Sequence, residues 1–134
     1  MSTRLLLPLV PLFFITMADA DDCANAMTQG AMNQCAAQEN EAADKELNTL
    51  YKQITARLKG NAEAKQLLVK AQRAWMGFRD AECRFSASGV EGGSVYPMIH
   101  NDCITALTKA RVQRFKNYLE CEEGDLSCPV PGAQ

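Results

Sequence analysis

The chain has 134 residues, and its 14 Lys and Arg against 16 Asp and Glu give a formal net charge of −2 at pH 7. A nearly neutral chain has no electrostatic reason to bind nucleic acid, because that binding depends on many cationic contacts to phosphates. The same small charge is too weak to argue, by itself, for a cationic protein partner.

Residues 1–20 are predicted to be a secretory signal peptide. Arg4 supplies a positive start, residues 5–17 are almost wholly apolar, and Ala18-Asp19-Ala20 forms a small-x-small cleavage site. The apolar run is too short to favour a spanning helix, although an uncleaved anchor is the alternative. Two aspartates, where a lipid-attachment signal has small residues, precede Cys23. We therefore expect a periplasmic or secreted protein with no membrane anchor after cleavage.

Residues 21–134 are predicted to form a single domain with a disulfide-closed C-terminal tail. The first predicted helix covers residues 29–59, with Thr28 as its N-cap. Apolar side chains recur along it at spacings of three and four, which is typical of an amphipathic helix. This stripe consists of Ala43, Leu47, Leu50, Tyr51, Ile54 and Leu58.

Two further helices are predicted. The second covers residues 62–85, and its apolar stripe consists of Leu67, Leu68, Ala71, Trp75 and Phe78. The third begins at Ser94 or Tyr96, with Pro97 in its first turn, and runs to Leu119. No stretch favours a strand. The predicted fold class is therefore all-α, a small bundle of three main helices stapled by disulfides, with a glycine-rich loop between helices two and three.

The segment between the second and third helices, residues 86–97, reads SASGVEGGSVYP. Its three glycines and its proline predict that it forms no regular element. In one interpretation it is a rigid projecting loop, which loses little entropy on binding and offers serine and tyrosine as contact residues. In the other it is a plain connector whose glycines permit positive φ. The candidate binding residues are Ser88, Glu91, Gly92, Gly93, Ser94 and Tyr96.

Six cysteines in an oxidising compartment predict three disulfides, although sequence alone allows 15 pairings. Cys83 and Cys103 bracket the glycine-rich segment, and Cys121 and Cys128 lie close together in the tail. Cys23 and Cys35 then pair by elimination, which requires the chain before Thr28 to fold back, since a continuous helix would hold them about 18 Å apart. The predicted pairs are Cys23–Cys35, Cys83–Cys103 and Cys121–Cys128.

An ordered set of short motifs resembles the LprI-like family of lysozyme inhibitors over roughly residues 23–119. Each piece is weak alone, and the order of the pieces makes the set specific. The pieces are Cys23 with Met32-Asn33-Gln34-Cys35; Ala43-Asp44, Leu47-Asn48 and Tyr51; Gln72, Trp75, Phe78-Arg79-Asp80 and Cys83; Gly92-Gly93-Ser94; and Cys103, Thr108 and Arg111. The resemblance implies a helical, disulfide-stapled, exported domain with lysozyme of the c or i type as the partner. A generic periplasmic interaction or envelope-stress module with a different partner is the alternative.

The residues outside the glycine-rich segment are predicted to serve the structure. Trp75 and Phe78 are expected in the core, since large aromatics at helical spacing usually supply burial. Arg79 and Asp80 are expected to be structural, with Arg79 free to reach a neighbouring helix. His100 is the single histidine, and an even cysteine count leaves no thiol to spare. We therefore expect no metal, no cofactor and no enzymatic activity, and the sequence does not indicate an oligomeric state.

Clusters of basic residues on the second and third helices offer one further surface. The simpler interpretation is a solvated face, and the alternative is binding to anionic wall polymers or lipid headgroups. These residues are Lys65, Lys70, Arg73, Lys109, Arg111, Arg114 and Lys116.

Overall fold

A computed structural model describes residues 21–133, so the predicted signal peptide lies outside the described residues. No strand occurs among them, and the predicted all-α class with three long helices is confirmed. No helix in this part of the chain is both long enough and apolar enough to cross a membrane. The elements are α1 Asp21–Ala24, α2 Gln29–Arg57, α3 Ala62–Ser86, a 3₁₀ turn Ser88–Val90 and α4 Tyr96–Leu119.

Side chains cap the N-termini of α2 and α3, whereas α4 has a proline in its first turn. Thr28 Oγ1 accepts a hydrogen bond of 3.1 Å from the Ala31 N–H, as its position predicts. Asn61 Oδ1 accepts one of the same length from the Ala64 N–H at the start of α3. The first turn of α4 contains proline, which lacks an N–H and so leaves no donor unpaired there.

The helices α2 and α4 lie side by side and run parallel. Asn40 Nδ2 on α2 donates to Asn101 Oδ1 on α4 at 2.8 Å, and further along both helices Arg57 Nη1 donates to the Leu119 carbonyl at 2.8 Å. The intervening helix α3 runs antiparallel to α4, because Arg111 bonds Gln72 whereas the disulfide from Cys103 goes to Cys83. The bundle therefore consists of a close α2–α4 pair with α3 laid mainly against α4.

The hydrophobic core lies between α2 and α4 and is closed by the tail. Phe115 has no exposed surface, and Ile54 and Leu47 are almost as fully buried. The apolar stripe predicted for the first helix is confirmed, except that Tyr51 is only half-buried at the edge of the core. The core cluster consists of Leu47, Leu50, Ile54, Leu58, Val112, Phe115 and Val130.

The apolar stripe predicted for the second helix is wrong in part. Phe78 is 56% exposed and Leu67 is 63% exposed, so neither belongs to the core. Trp75 is half-buried and packs against the core cluster. The helix is rotated so that Gln72 and Cys83 are its buried residues, because both have partners on α4. Bonded polar side chains therefore determine which face of α3 points inward.

Three disulfides join the predicted cysteine pairs: Cys23–Cys35, Cys83–Cys103 and Cys121–Cys128. The first pair has a Cα–Cα distance of 5.5 Å, because α1 ends before Thr28 and the chain folds back along α2. Within one continuous helix, Cys23 and Cys35 would be too far apart to form a disulfide. The fold-back expected from elimination is thus present.

The tail after α4 forms a disulfide-closed turn and then returns to the bundle. Gly124 has φ +86°, a conformation that favours glycine. Asp125 Oδ1 accepts hydrogen bonds from the Ser127 hydroxyl at 2.6 Å and from the Ser127 N–H at 2.9 Å. These two bonds hold the pKa of the Asp125 carboxyl below its ordinary value. Beyond the turn, Val130 is buried in the core and so fixes the tail to the helices.

Candidate functional site

The connection between α3 and α4 is shorter and more regular than the sequence predicts. It comprises residues 87–95 and contains the 3₁₀ turn Ser88–Val90, so the expectation of no regular element is wrong there. Consecutive turns are closed by Gly93 N–H bonding the Val90 carbonyl at 3.0 Å and Tyr96 N–H bonding the Gly93 carbonyl at 3.2 Å. Gly92 has φ +81°, which only glycine adopts without strain. The connection is therefore a wound, internally bonded segment.

All three long helices hold this connection in place. The Cys83–Cys103 disulfide joins α3 to α4 beside it, and Cys83 and Ala87 have no exposed surface. From α2, Asn33 Nδ2 donates to the Ser94 carbonyl at 2.8 Å. Covalent and hydrogen-bonded anchors at both ends restrict the conformations that the segment can adopt before it meets any ligand.

The structure brings the predicted binding residues together at one end of the bundle. Five of them are exposed: Ser88, Glu91, Gly92, Gly93 and Ser94. Tyr96 is half-buried, and its ring stacks on His100 with centroids 5.5 Å apart and an interplanar angle of 18°. The tyrosine therefore presents a smaller share of its surface than the exposed serines and glycines do.

A polar groove of about 500 Å³ lies next to this segment, where the three helices meet. His100 connects the segment with the groove, since its ring stacks on Tyr96 and also lines the groove. Three carboxylates and one guanidinium give the groove a net negative lining. This groove was not predicted from the sequence, although the motif set already contained Asp44, Arg79 and Asp80. The lining residues are Ala37, Asn40, Glu41, Asp44, Arg79, Asp80, His100 and Ile104.

Arg79 joins the three helices at the floor of this groove. Its side chain is 14% exposed, and its Nε donates to Asp80 Oδ1 at 3.0 Å. Its Nη1 donates to Thr108 Oγ1 on α4 at 3.4 Å and lies 4.0 Å from Asp44 Oδ1 on α2. The guanidinium also lies 5.0 Å from the centre of the Trp75 ring. The expected reach of Arg79 to a neighbouring helix is therefore present.

Substituting Arg79→Lys should lower the free energy of unfolding by about 1–2 kcal/mol, because an ammonium cannot reproduce the forked donors of the guanidinium or its contact with the Trp75 ring. Urea unfolding followed by circular dichroism measures the loss. Arg84→Lys is the matched control, since Arg84 is exposed and forms no ion pair within residues 21–133. Equal effects of the two substitutions would contradict the role given to Arg79.

A second buried network, centred on Arg111, was not expected from the sequence. Arg111 Nε donates to Gln72 Oε1 at 3.0 Å, and its guanidinium lies 4.7 Å from the Phe115 ring centre and 5.7 Å from that of Trp75. Burial lowers the pKa of Arg111 below the ordinary value of the guanidinium. The presence of Gln72, Trp75 and Arg111 in one motif set is the signal that could have revealed it.

Some of the basic residues of the second and third predicted helices have partners within the bundle. Arg111 turns inward, as described, and Lys116 Nζ forms an ion pair of 2.9 Å with Glu46 on α2. Two of the seven basic residues, Arg111 and Lys116, therefore interact with side chains of the bundle itself.

This end of the bundle presents polar and charged groups of several kinds. All six cysteines are in disulfides, so no thiol is present as a nucleophile. Within residues 21–133 no group of three His, Cys, Asp or Glu side chains is placed to hold a metal ion. Exposed hydroxyls, glycine backbone and a negatively lined groove remain as the features that a partner would meet.

Fold and site together define a small disulfide-stapled helical domain of the exported type, since such disulfides fit an extracytoplasmic location. The family described as lysozyme inhibitor LprI matches residues 20–115. The chain therefore belongs to the LprI lysozyme inhibitor family. A relative from Rhizobium meliloti (strain 1021), the uncharacterized protein R02472, is 36% identical over 113 residues, which cover 76% of this chain and 81% of the relative. No solved structure matches the chain.

Proposed function

We propose that the protein binds a lysozyme-type cell-wall hydrolase outside the cytoplasm and inhibits it by occluding its substrate cleft. Family membership over residues 20–115 is the observation that carries this proposal, since the family is one of lysozyme inhibitors. Cleavage after Ala20 and release into the periplasm or the medium are parts of the same proposal. Lysozyme of the c or i type is the partner that the family suggests.

The inhibitory surface in this proposal is the α3–α4 connection with the start of α4. Anchoring by the Cys83–Cys103 disulfide and by Asn33 supports it, because a segment that is already ordered gives up little conformational entropy when it docks. Its position at the end of the bundle also supports it, since an exposed end can enter a cleft that the side of a helix cannot. The contact residues are Ser88, Glu91, Gly92, Gly93, Ser94 and Tyr96.

Open hydrogen-bond donors on this segment suit a lysozyme cleft. The backbone N–H groups of Gly92 and Ser94 have no acceptor among the described residues, and the hydroxyls of Ser88 and Ser94 are exposed. Lysozyme catalysis uses two carboxyl groups that flank the scissile bond. Donors directed at a carboxylate form the stronger, charge-assisted kind of hydrogen bond. The connection would therefore block the cleft and bind its catalytic groups at once.

The negatively lined groove beside the connection supports docking on a partner with a cationic rim. Glu41 is exposed and has no bonded partner among the described residues, and the Asp80 side chain is 60% exposed. Charges at the edge of an interface act mainly on the association rate and its salt dependence. In this proposal the groove speeds encounter, whereas the connection supplies the affinity.

The double substitution Ser94→Ala with Tyr96→Ala is expected to weaken lysozyme binding by about tenfold or more, since it removes two polar contacts at the centre of the surface. Calorimetry with purified lysozyme measures the dissociation constant, and a wall-clearing assay measures inhibition. Circular dichroism and a thiol titration check that the helices and disulfides are intact. The matched control, Lys52→Ala with Gln53→Ala, lies near the other end of α2 and should leave binding unchanged.

Two results separate the parts of this proposal. Unchanged binding by the Ser94/Tyr96 variant, with full inhibition, would place the contact surface elsewhere on the domain. Full lysis in excess of the wild-type protein, with no heat of binding for either lysozyme type, would remove the inhibitor function. The alternative of a periplasmic interaction module with another partner would then stand.

A further inference from the structure

An exposed apolar stripe runs along the outer side of α3. Leu67 is 63% exposed, Phe78 is 56% exposed and Phe85 is 75% exposed. Three exposed alanines, Ala71, Ala74 and Ala81, lie between these large side chains, so the six positions are spaced by four, three, four, three and four residues. This alternation of fours and threes is the seam of a two-stranded coiled coil.

The other helices of the chain leave this stripe uncovered. The buried residues of α3, Gln72 and Cys83, point to α4. At about 150–250 Å² for a whole aromatic side chain, the three large residues expose on the order of 400 Å² of apolar surface. A patch of this size is comparable to the largest apolar patch of a typical monomer, and such a patch is often functional. The stripe spans residues 67–85, about 27 Å at 1.5 Å per residue, which is long enough for one helix to lie along it.

We propose that this stripe is a homodimer interface, in which α3 pairs with α3 of a second copy across a two-fold axis. The spacing itself favours another α-helix with the same repeat, and a second copy supplies one. In an antiparallel pair whose register has its midpoint at position 76, Phe78 of one copy lies opposite Ala74 of the other, and Leu67 lies opposite Phe85. Large side chains then face small ones at the centre, which fills space evenly. Parallel pairing would set phenylalanine on phenylalanine beside alanine on alanine.

A groove at one end of the stripe supports the antiparallel arrangement. Leu67 and Ala71 form one wall of an apolar groove of about 220 Å³, and Leu58, Pro129 and Val130 are among its other lining residues. In the antiparallel pair, Phe85 of the second copy lies beside this groove. A cavity of about 150 Å³ holds benzene, so this groove has room for a phenyl ring. The bundle thus offers a seat for the most exposed phenylalanine of its partner.

The buried area places this dimer among the smaller, reversible interfaces. Two stripes with their alanines would bury on the order of 1,000 Å² in total, which lies at the low end for specific interfaces and in the range of transient ones. We therefore expect a reversible dimer with a dissociation constant in the micromolar range.

Sedimentation of the oxidised protein lacking residues 1–20, across roughly 1 μM to 1 mM, measures the self-association directly. The double substitution Phe78→Gln with Phe85→Gln should weaken dimerisation at least tenfold and leave helicity and disulfides unchanged, because both side chains are exposed. Met76→Gln is the matched control. Met76 is 39% exposed on the same helix, but two positions turn a helix by about 200°, so it lies on the side away from Phe78.

A concentration-dependent dimer that Phe78→Gln/Phe85→Gln abolishes and Met76→Gln retains would support the proposal. A wild-type protein that stays monomeric up to 1 mM (roughly the highest concentration of the series) would overturn it, as would equal effects of the two variants. If the wild-type protein is monomeric and the double variant loses lysozyme binding, the stripe is a lysozyme contact. That result would also overturn the dimer proposal. Because sedimentation uses no lysozyme, this outcome is independent of the proposed inhibition.

Discussion

Substituting Phe115→Ala should lower the free energy of unfolding by about 3–5 kcal/mol, the largest effect that we expect from one side chain. Phe115 is completely buried at the centre of the core cluster, and its ring centre lies 6.3 Å from that of Tyr51. Removing the ring leaves a cavity and also takes away the aromatic face that lies 4.7 Å from the Arg111 guanidinium. Urea unfolding followed by circular dichroism measures the loss.

A loss of this size leaves the Phe115→Ala variant only marginally stable. Domains of this size are stable by about 5–15 kcal/mol, so the loss is a large fraction of the whole. Leu126→Ala is the control, because Leu126 is fully exposed at the tip of the tail turn and should change stability by less than about 0.5 kcal/mol. A Phe115→Ala loss as small as that of the control would show that the ring is not part of the core.

Replacing both Cys83 and Cys103 with alanine should cost about 3 kcal/mol, since their disulfide closes a loop of 20 residues and so restricts the unfolded chain. The sulfur of Cys83 is also completely buried, so its loss leaves a small cavity. Beyond stability, the α3–α4 connection should lose one of its anchors. Hydrogen exchange of the amides in residues 87–95 should therefore become faster.

The control for this pair is Cys121→Ala with Cys128→Ala, which opens a loop with a sequence separation of only 7. Its expected cost is smaller, about 2 kcal/mol in the same chain-entropy treatment. Amide exchange in residues 87–95 should stay at the wild-type rate in this control. Fast exchange in both variants would mean that general loss of stability, and not the specific anchor, governs the connection.

Much of the fold was predictable because local signals agree with the packing. In α2 the residues at spacings of three and four are also the ones that face α4, and Thr28 caps the helix as its sequence position predicts. The disulfides followed from an even count and from the position of the glycine-rich segment. In these places hydrophobic pattern, capping and sulfur pairing all favour the same structure.

In α3 the stripe predicted from the sequence is only partly the buried one, since Leu68 and Trp75 pack against the core cluster whereas the rest of the stripe is exposed. Leu67, Ala71 and Phe78 form the more apolar face, yet Gln72, Arg79 and Cys83 are the residues that turn toward α4. The second face is preferred because each of these three has a partner on α4, at Arg111, Thr108 and Cys103. Such partners lie 20 to 39 residues away, so helical periodicity within α3 contains no information about them.

The candidate site was predictable as a segment but not as a surface. Glycines and serines identified residues 88–96, whereas the bond from Asn33 to the Ser94 carbonyl joins positions 61 residues apart. The adjoining groove likewise combines Asp44, Asp80 and His100 from three helices. No local pattern brings these together. The motif set contains Asn33, Asp44, Asp80 and Ser94 but does not indicate that they meet at one end of the molecule.

The parallel alignment of α2 with α4 has a consequence for how the chain acquires its structure. The hydrogen bond from Asn40 to Asn101 spans 61 positions, and the one from Arg57 to Leu119 spans 62. Contacts between such remote positions slow folding, since the entropy of closing the long intervening loop is lost before the contacts stabilise the chain. The apolar face of α2 therefore stays exposed to solvent until α4, near the end of the chain, has been synthesised and can pack against it. Early formation of the Cys83–Cys103 disulfide would shorten this period of exposure, because it holds α4 beside α3.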